Sequence, residues 1–117
     1  MSQGKATKTA MDGGNFEFRS ERSGGDERIH LLGEMDLSVI GSVDREMRRA
    51  ESGGADRIVL DLRELEFLDA AGIRLLLHLN ARSKRNGGRL RITRSGFPQV
   101  QRVIDLTGAG DVLPFLD

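Results

Sequence analysis

Hydrophobic positions change their period several times along the chain, and the densest stretch runs from Ile58 to Leu79. It opens as a continuous apolar run, Ile58-Val59-Leu60, closed by Asp61 and Leu62, the pattern of a strand buried on both faces. A charged connector, Arg63-Glu64-Leu65-Glu66, leads through Phe67-Leu68 to Asp69. From there the period is helical. Ile73, Leu76, Leu77 and Asn80 share one face, which Leu75 and Leu79 widen. Asp69 suits the N-cap, because its carboxylate can accept the free backbone N–H groups of the first turn. Ala70 and Ala71 take the first two helical positions and Gly72 the third. A strand, a tight connection and a capped helix start place a recognition corner at Asp69-Ala70-Ala71-Gly72.

The remaining pattern alternates strands and helices. Residues 1–14 are small, polar and aperiodic, and read as a disordered tail. Asn15 to Arg22 alternates as a strand, with Phe16 and Phe18 on one side and Glu17 and Arg19 on the other. The turn cluster Ser23-Gly24-Gly25-Asp26 joins it as a hairpin to a second strand, Arg28 to Gly33. A helix starts near Ser38, with Ile40, Val43, Met47 and Ala50 inward and Asp44, Arg45, Glu46, Arg48 and Arg49 on its wet face. Ser52-Gly53-Gly54 ends it, and Asn86-Gly87-Gly88 ends the central helix. Arg89 to Thr93 is a further strand. Ser95-Gly96-Phe97-Pro98 opens a third helix, with Pro98 suited to its first turn and Val100, Val103, Ile104 and Thr107 inward. The last residues, Asp111 to Asp117, read as a short edge strand or apolar clasp, since Pro114 disfavours a central position.

Strands separated by helices pair in parallel through right-handed crossovers. The chain is therefore expected to be α/β: one domain over 15–117 with a mixed, mostly parallel sheet, helices packed on it and an N-terminal hairpin.

Composition narrows the chemistry. The 117 residues suit one domain with a real core. Eighteen Lys and Arg balance eighteen Asp and Glu, so neither nucleic acid nor an anionic membrane is favoured as a partner. With no cysteine, disulfides and thiolate metal sites are excluded, which fits a cytoplasmic chain. No apolar run approaches the ~20 residues that span a bilayer, and no apolar core follows the N-terminal lysines as in a secretory signal. Trp and Tyr are absent, so a base-stacking surface is not expected.

No catalytic constellation is visible. Asp61 and Asp69 fall near one strand end, but no phosphate loop or partner His accompanies them as a Mg²⁺ site or acid–base pair would require. His30 and His78 have no ligand spacing. The Gly-Gly pairs do not follow strands as in a dinucleotide motif. Arg82, Lys84, Arg85, Arg89 and Arg91 read as a solvated basic face. Neither a catalytic residue nor a metal or cofactor is expected.

Three segments in order carry a family resemblance. Gly33-Glu34-Met35-Asp36-Leu37-Ser38 resembles the G-E-L-D-x-[AST] segment of STAS domains, the fold of bacterial anti-sigma-factor antagonists. Val59-Leu60-Asp61-Leu62 through Phe67-Leu68-Asp69-Ala70-Ala71-Gly72-Ile73 resembles their V-x-L-D-L … F-[ILM]-D-S-[ST]-G-[IL] signature. Val103 to Gly108, with Asp111 to Phe115, is similar to their C-terminal segment. The resemblance implies a single STAS domain without catalysis, acting on a kinase-type anti-sigma factor to release its sigma factor, and present as a monomer or weak dimer. The implied contact residues are Asp36, Ser38, Asp69, Ala70, Ala71, Gly72 and Arg74. In the family, a Ser or Thr just before the helix-entry glycine accepts a phosphate that switches binding off. Here that position is Ala71, preceded by Ala70, and methyl side chains cannot be phosphorylated. Ser38 and Ser42 are other hydroxyls near a helix start, where serines usually serve as caps. The two alanines also suit an alternative, a non-switching STAS scaffold subunit of a signalling assembly or transport complex.

Overall fold

A computed structural model of the chain describes residues 7–12 and 15–116, with side chains from residue 15 onward. Its elements are β1 (Thr7–Asp12), β2 (Phe16–Ser23), β3 (Asp26–Met35), α1 (Ile40–Ser52), β4 (Arg57–Asp61), β5 (Leu65–Leu68), α2 (Ala70–Arg85), β6 (Leu90–Thr93), α3 (Pro98–Leu106) and β7 (Phe115–Leu116). Short 3-10 turns precede α1 at Leu37–Val39 and β7 at Ala109–Asp111. The strands form one mixed sheet in the order β1-β2-β3-β4-β6-β7, with β5 also paired to β3. β1, β2 and β3 are antiparallel neighbours, and every other pairing is parallel. The expected α/β architecture is thus present, including the hairpin, whose Ser23 faces Asp26 across Gly24-Gly25.

Two strands differ from the sequence reading. Thr7–Asp12, read as part of a tail over residues 1–14, lies along β2 from Thr7 opposite Glu21 to Asp12 opposite Phe16. Backbone pairing along an edge needs no apolar alternation, so its composition carried no strand signal. The rest of that tail, residues 1–6 and 13–14, lies outside the described residues. Leu65–Leu68, read as the end of the charged connector Arg63-Glu64-Leu65-Glu66 and the approach to Asp69, is a strand. It buries only Leu65 and Leu68, leaving Glu66 and Phe67 exposed.

Period-2 alternation gives the sheet two unlike faces. Phe16, Phe18, Ile29, Leu31, Ile58, Leu60, Leu90 and Ile92 belong to one core cluster with Val43 and Met47 of α1, Leu76 and Leu79 of α2, and Val100 and Ile104 of α3. The three helices therefore cover this face. Leu76 and Leu79 are fully buried, and truncating either to Ala would cost about 2–5 kcal/mol. The alternate residues, among them Arg19, Arg28, His30, Asp61, Arg91 and Thr93, point the other way.

Two residues read as solvated are buried. Glu46 of α1 accepts from Ser20 Oγ at 2.6 Å and Arg49 Nη2 at 2.6 Å. Arg82 of α2 clamps α1, donating through Nε to Glu51 at 2.9 Å and through Nη1 to Asp44 at 3.0 Å. Helical periodicity put both on polar stripes, but each also has a partner on another element, and pairing makes such burial tolerable.

β3 serves two partners in succession. Asp26 to His30 pairs with β4, and Gly33 to Met35 pairs with β5, with a register shift between Gly33 and Glu34 that leaves Glu66 as an extra residue on β5. Gly33 has φ +90°, and a Cβ there would stand 2.0 Å from the Asn15 carbonyl oxygen. Only glycine fits this position. The handover also needs the chain to turn sharply after β4, and Asp61 holds that turn. Its buried carboxylate accepts from Arg28 Nη1 at 2.6 Å, Arg63 N at 3.0 Å, Arg63 Nη2 at 2.8 Å and Thr93 Oγ1 at 3.0 Å. Thr93 Oγ1 in turn accepts from Leu62 N at 2.9 Å.

Burial alone would raise the Asp61 pKa. The Arg63 side chain and backbone, Arg28 and Thr93 outweigh it and hold the carboxyl down to about 2, from an ordinary 3.8. A folded pKa below the unfolded one stabilises fully above about pH 4, and that stability is lost as pH falls toward 2. Stability measured by urea unfolding should drop by on the order of 2 kcal/mol across this window on account of Asp61. Asp61→Asn should be less stable at neutral pH and show a correspondingly flatter profile between pH 4 and 2; an unchanged slope would mean that Asp61 does not govern it.

Candidate functional site

The C-terminal ends of β3 and β5 meet the N-terminus of α2 at one rim of the sheet. Leu68 lies opposite Met35 in the parallel pairing, and Asp69 N donates to Met35 O at 3.4 Å. This joins the two segments carrying the predicted contact residues. Asp36 follows β3 directly. Its Oδ1 accepts from Ser38 N at 2.9 Å and Ser38 Oγ at 2.6 Å, capping the 3-10 turn that leads into α1. Asp69 follows β5, and its Oδ1 accepts from Gly72 N at 3.0 Å. Its carbonyl accepts from Ile73 N at 3.1 Å, so both capping roles at α2 fall to one residue. The N–H groups of Ala70 and Ala71, at the first two positions, have no intrahelical acceptor. They give the corner its partial positive charge.

Packing fixes the height of this helix start. A Cβ on Gly72 would stand 2.2 Å from Leu68 Cδ1 and 3.3 Å from Met35 Cε. A side chain here would have to displace the Leu68 side chain. Gly72 is therefore buried beneath the corner rather than presented by it. Ala70 is exposed and Ala71 half-buried, so a floor of methyl groups faces outward. Arg74 is exposed further along α2, without an ion pair to a described residue. The structure thus brings Asp36, Ser38, Asp69, Ala70 and Ala71 together, with Arg74 at the margin.

Sequence reasoning missed the apolar members of this rim. Leu37 is 73% exposed and Phe67 46% exposed. Both were readable as apolar residues beside a cap, but their exposure follows from the 3-10 turn and from β5, neither of which was foreseen.

The same geometry bears on chemistry. Asp61 is engaged with Arg28, Arg63 and Thr93, and Asp69 with the helix start, so these two carboxylates are committed to structure. Among the described residues no group of three or more His, Cys, Asp or Glu is placed to hold a metal ion, and no helix is long and apolar enough to cross a membrane. The cavity lined by Met47, Ile58, Ser83 and Leu90 has room for about 10 Å³, roughly one water. It lies at the opposite end of the parallel strands from the corner.

Known proteins share this architecture. An anti-sigma factor antagonist from Mycobacterium paratuberculosis aligns with a TM-score of 0.67 at 18% identity, over 95% of this chain and 84% of that one. SpoIIAA in its unphosphorylated form, an anti-sigma factor antagonist, aligns at 0.66 and 21% identity, over 96% and 87%. At such identities these structures establish the fold. In sequence, an anti-sigma F factor antagonist from Paenibacillus polymyxa is 27% identical over 104 residues, 88% of each chain. The family model described as "Mlab, STAS domain" matches residues 18–115, from β2 into β7. The chain belongs to the STAS domain family.

Proposed function

We propose that this chain is an anti-sigma-factor antagonist that acts by binding. Its partner is an anti-sigma factor of the kinase type, and the docking surface is the corner formed by Asp36, Ser38, Asp69, Ala70, Ala71 and Arg74, with Gly72 packed beneath. The observation that carries this reading is the exposed, doubly capped start of α2 held against the end of β3. It supplies small side chains, two free N–H groups and fixed carboxylates on one rigid rim. The antagonist named above, alike over 88% of each chain, supports it. The protein works in the cytoplasm as a monomer or weak dimer, without nucleic acid, membrane, metal or cofactor.

A second reading rests on Ala70 and Ala71. Lacking hydroxyls at the family's phosphate position, the chain also suits a STAS scaffold that is never switched. The two readings differ in partner, a kinase-like ATPase for the antagonist and a transporter subunit or large assembly for the scaffold.

Affinity capture from lysate of the source organism, followed by calorimetry with the recovered partner, tests the docking surface. Ala71→Glu should weaken binding by on the order of several kcal/mol, since it brings an unpaired charge into the contact. Melting of the free domain should hardly move, because a carboxylate is tolerated at a helix N-terminus. Equal affinity of wild type and variant would remove this surface from the account.

Regulation gives a separate test. With the kinase and ATP, wild type should gain no phosphate at residues 69–72 by intact mass and peptide mapping, whereas Ala71→Ser should restore an acceptor. Stoichiometric phosphorylation of wild type at Ser38 or Ser42, with loss of binding, would contradict a permanently active antagonist. An inert Ala71→Ser would favour the scaffold.

A further inference from the structure

Several carboxylates at the corner are not neutralised within the chain. Asp26, Glu27, Asp44, Glu51 and Asp61 each sit in a salt bridge on other parts of the surface and core. At the corner Glu34, Asp36, Glu66 and Asp69 form none with a described residue, as is also the case for Asp56, Glu64, Asp105 and Asp111 elsewhere, although the chain as a whole carries no net charge. Among the corner carboxylates stand two of the four exposed large apolar side chains of the described residues, Leu37 and Phe67; Leu106 and Val112 lie elsewhere. Phe67 lies beside Glu34 in the β3–β5 register. Leu37 is two residues beyond Met35, which pairs with Leu68. By chain geometry their Cα atoms are at most about 16 Å apart, within the span of a short helix or strand of a partner. Exposed apolar residues ringed by polar ones mark a contact surface, and the unneutralised carboxylates define what fits it.

We propose that Leu37 and Phe67 are the apolar anchors of the docking surface, and that the partner meets them with an apolar strip flanked by Lys or Arg. This inference rests on the corner being the docking surface and adds the chemistry of the partner's face. A strip without cations leaves Glu34, Asp36 and Glu66 desolvated and unpaired, which is costly. A second copy of this corner repels the first through like charge. Flanking cations remove both penalties and steer the approach of the partner over a Debye length.

The test uses the full chain and two synthetic helical peptides with the same leucine stripe, one with a lysine polar face and one with a glutamate polar face. In a ¹⁵N NMR titration at 50 mM salt, the lysine peptide should shift the amides of Leu37, Phe67, Ala70 and Ala71. The glutamate peptide should leave them in place. Leu37→Ser with Phe67→Ser should weaken the lysine peptide at least tenfold, and 500 mM salt should weaken it by a similar factor. No shift at the corner, equal shifts with both peptides, or preference for the glutamate peptide would overturn the proposal. If the captured anti-sigma factor loses binding with Ala71→Glu but ignores salt and the Leu37–Phe67 double variant, the docking surface stands and this inference falls.

Discussion

Asp61 ends β4 with its carboxylate out of water, and groups from three segments converge on it: Arg28 from β3, Arg63 from the following turn and Thr93 from β6. A buried carboxylate is costly unless fully bonded, so the position of each donor is tied to the others. Arg63 must fold back, and Leu62 N is drawn to Thr93 Oγ1. The chain then leaves β4 at a sharp angle and re-enters the sheet as β5. Gly33, at φ +90°, marks the point on β3 where pairing passes to the new neighbour. The Gly33 N donates to Glu64 O at 3.2 Å, which ties this point to the same turn. Where β5 ends, Asp69 begins α2. The corner is thus placed by an ion pair and a glycine that are not themselves part of its surface.

Much of this was legible in the sequence because it depends on local rules. The run Ile58 to Leu60 is a buried strand, Asp69 caps α2 as its position suggests, and Pro98 starts α3 at the permitted position. What stayed hidden depends on distant partners. β5 is four residues long and shows only Leu65 and Leu68 to the core, too little for a period to register among charged neighbours. Glu46 and Arg82 sit on stripes that read as wet, and only Ser20, Asp44 and Glu51 on other elements explain their burial. At the site, the cap and the alanines were readable, whereas the exposure of Leu37 and Phe67 was not.

The division between rigid support and open surface suits a binding protein. Asp26, Glu27, Asp44, Glu51 and Asp61 are matched with arginines, α1 is clamped to α2 through Arg82, and the core is continuous beneath three helices. The rim gathers unmatched carboxylates, two exposed apolar side chains and a floor of methyl groups. A surface of this kind gains by meeting a partner, and its backbone need not rearrange to do so, because Asp36 and Asp69 already hold both helix entries.

Hydrogen–deuterium exchange on the chain alone and in complex with its captured partner tests the central claim most directly. Binding should slow exchange at residues 34–38 and 67–74, and leave the hairpin turn at Gly24-Gly25 and the end of α2 near Asn86 unchanged. Slowed exchange confined to the helix-free face of the sheet or to the outer face of α1, with the corner as fast as in the free chain, would contradict the account.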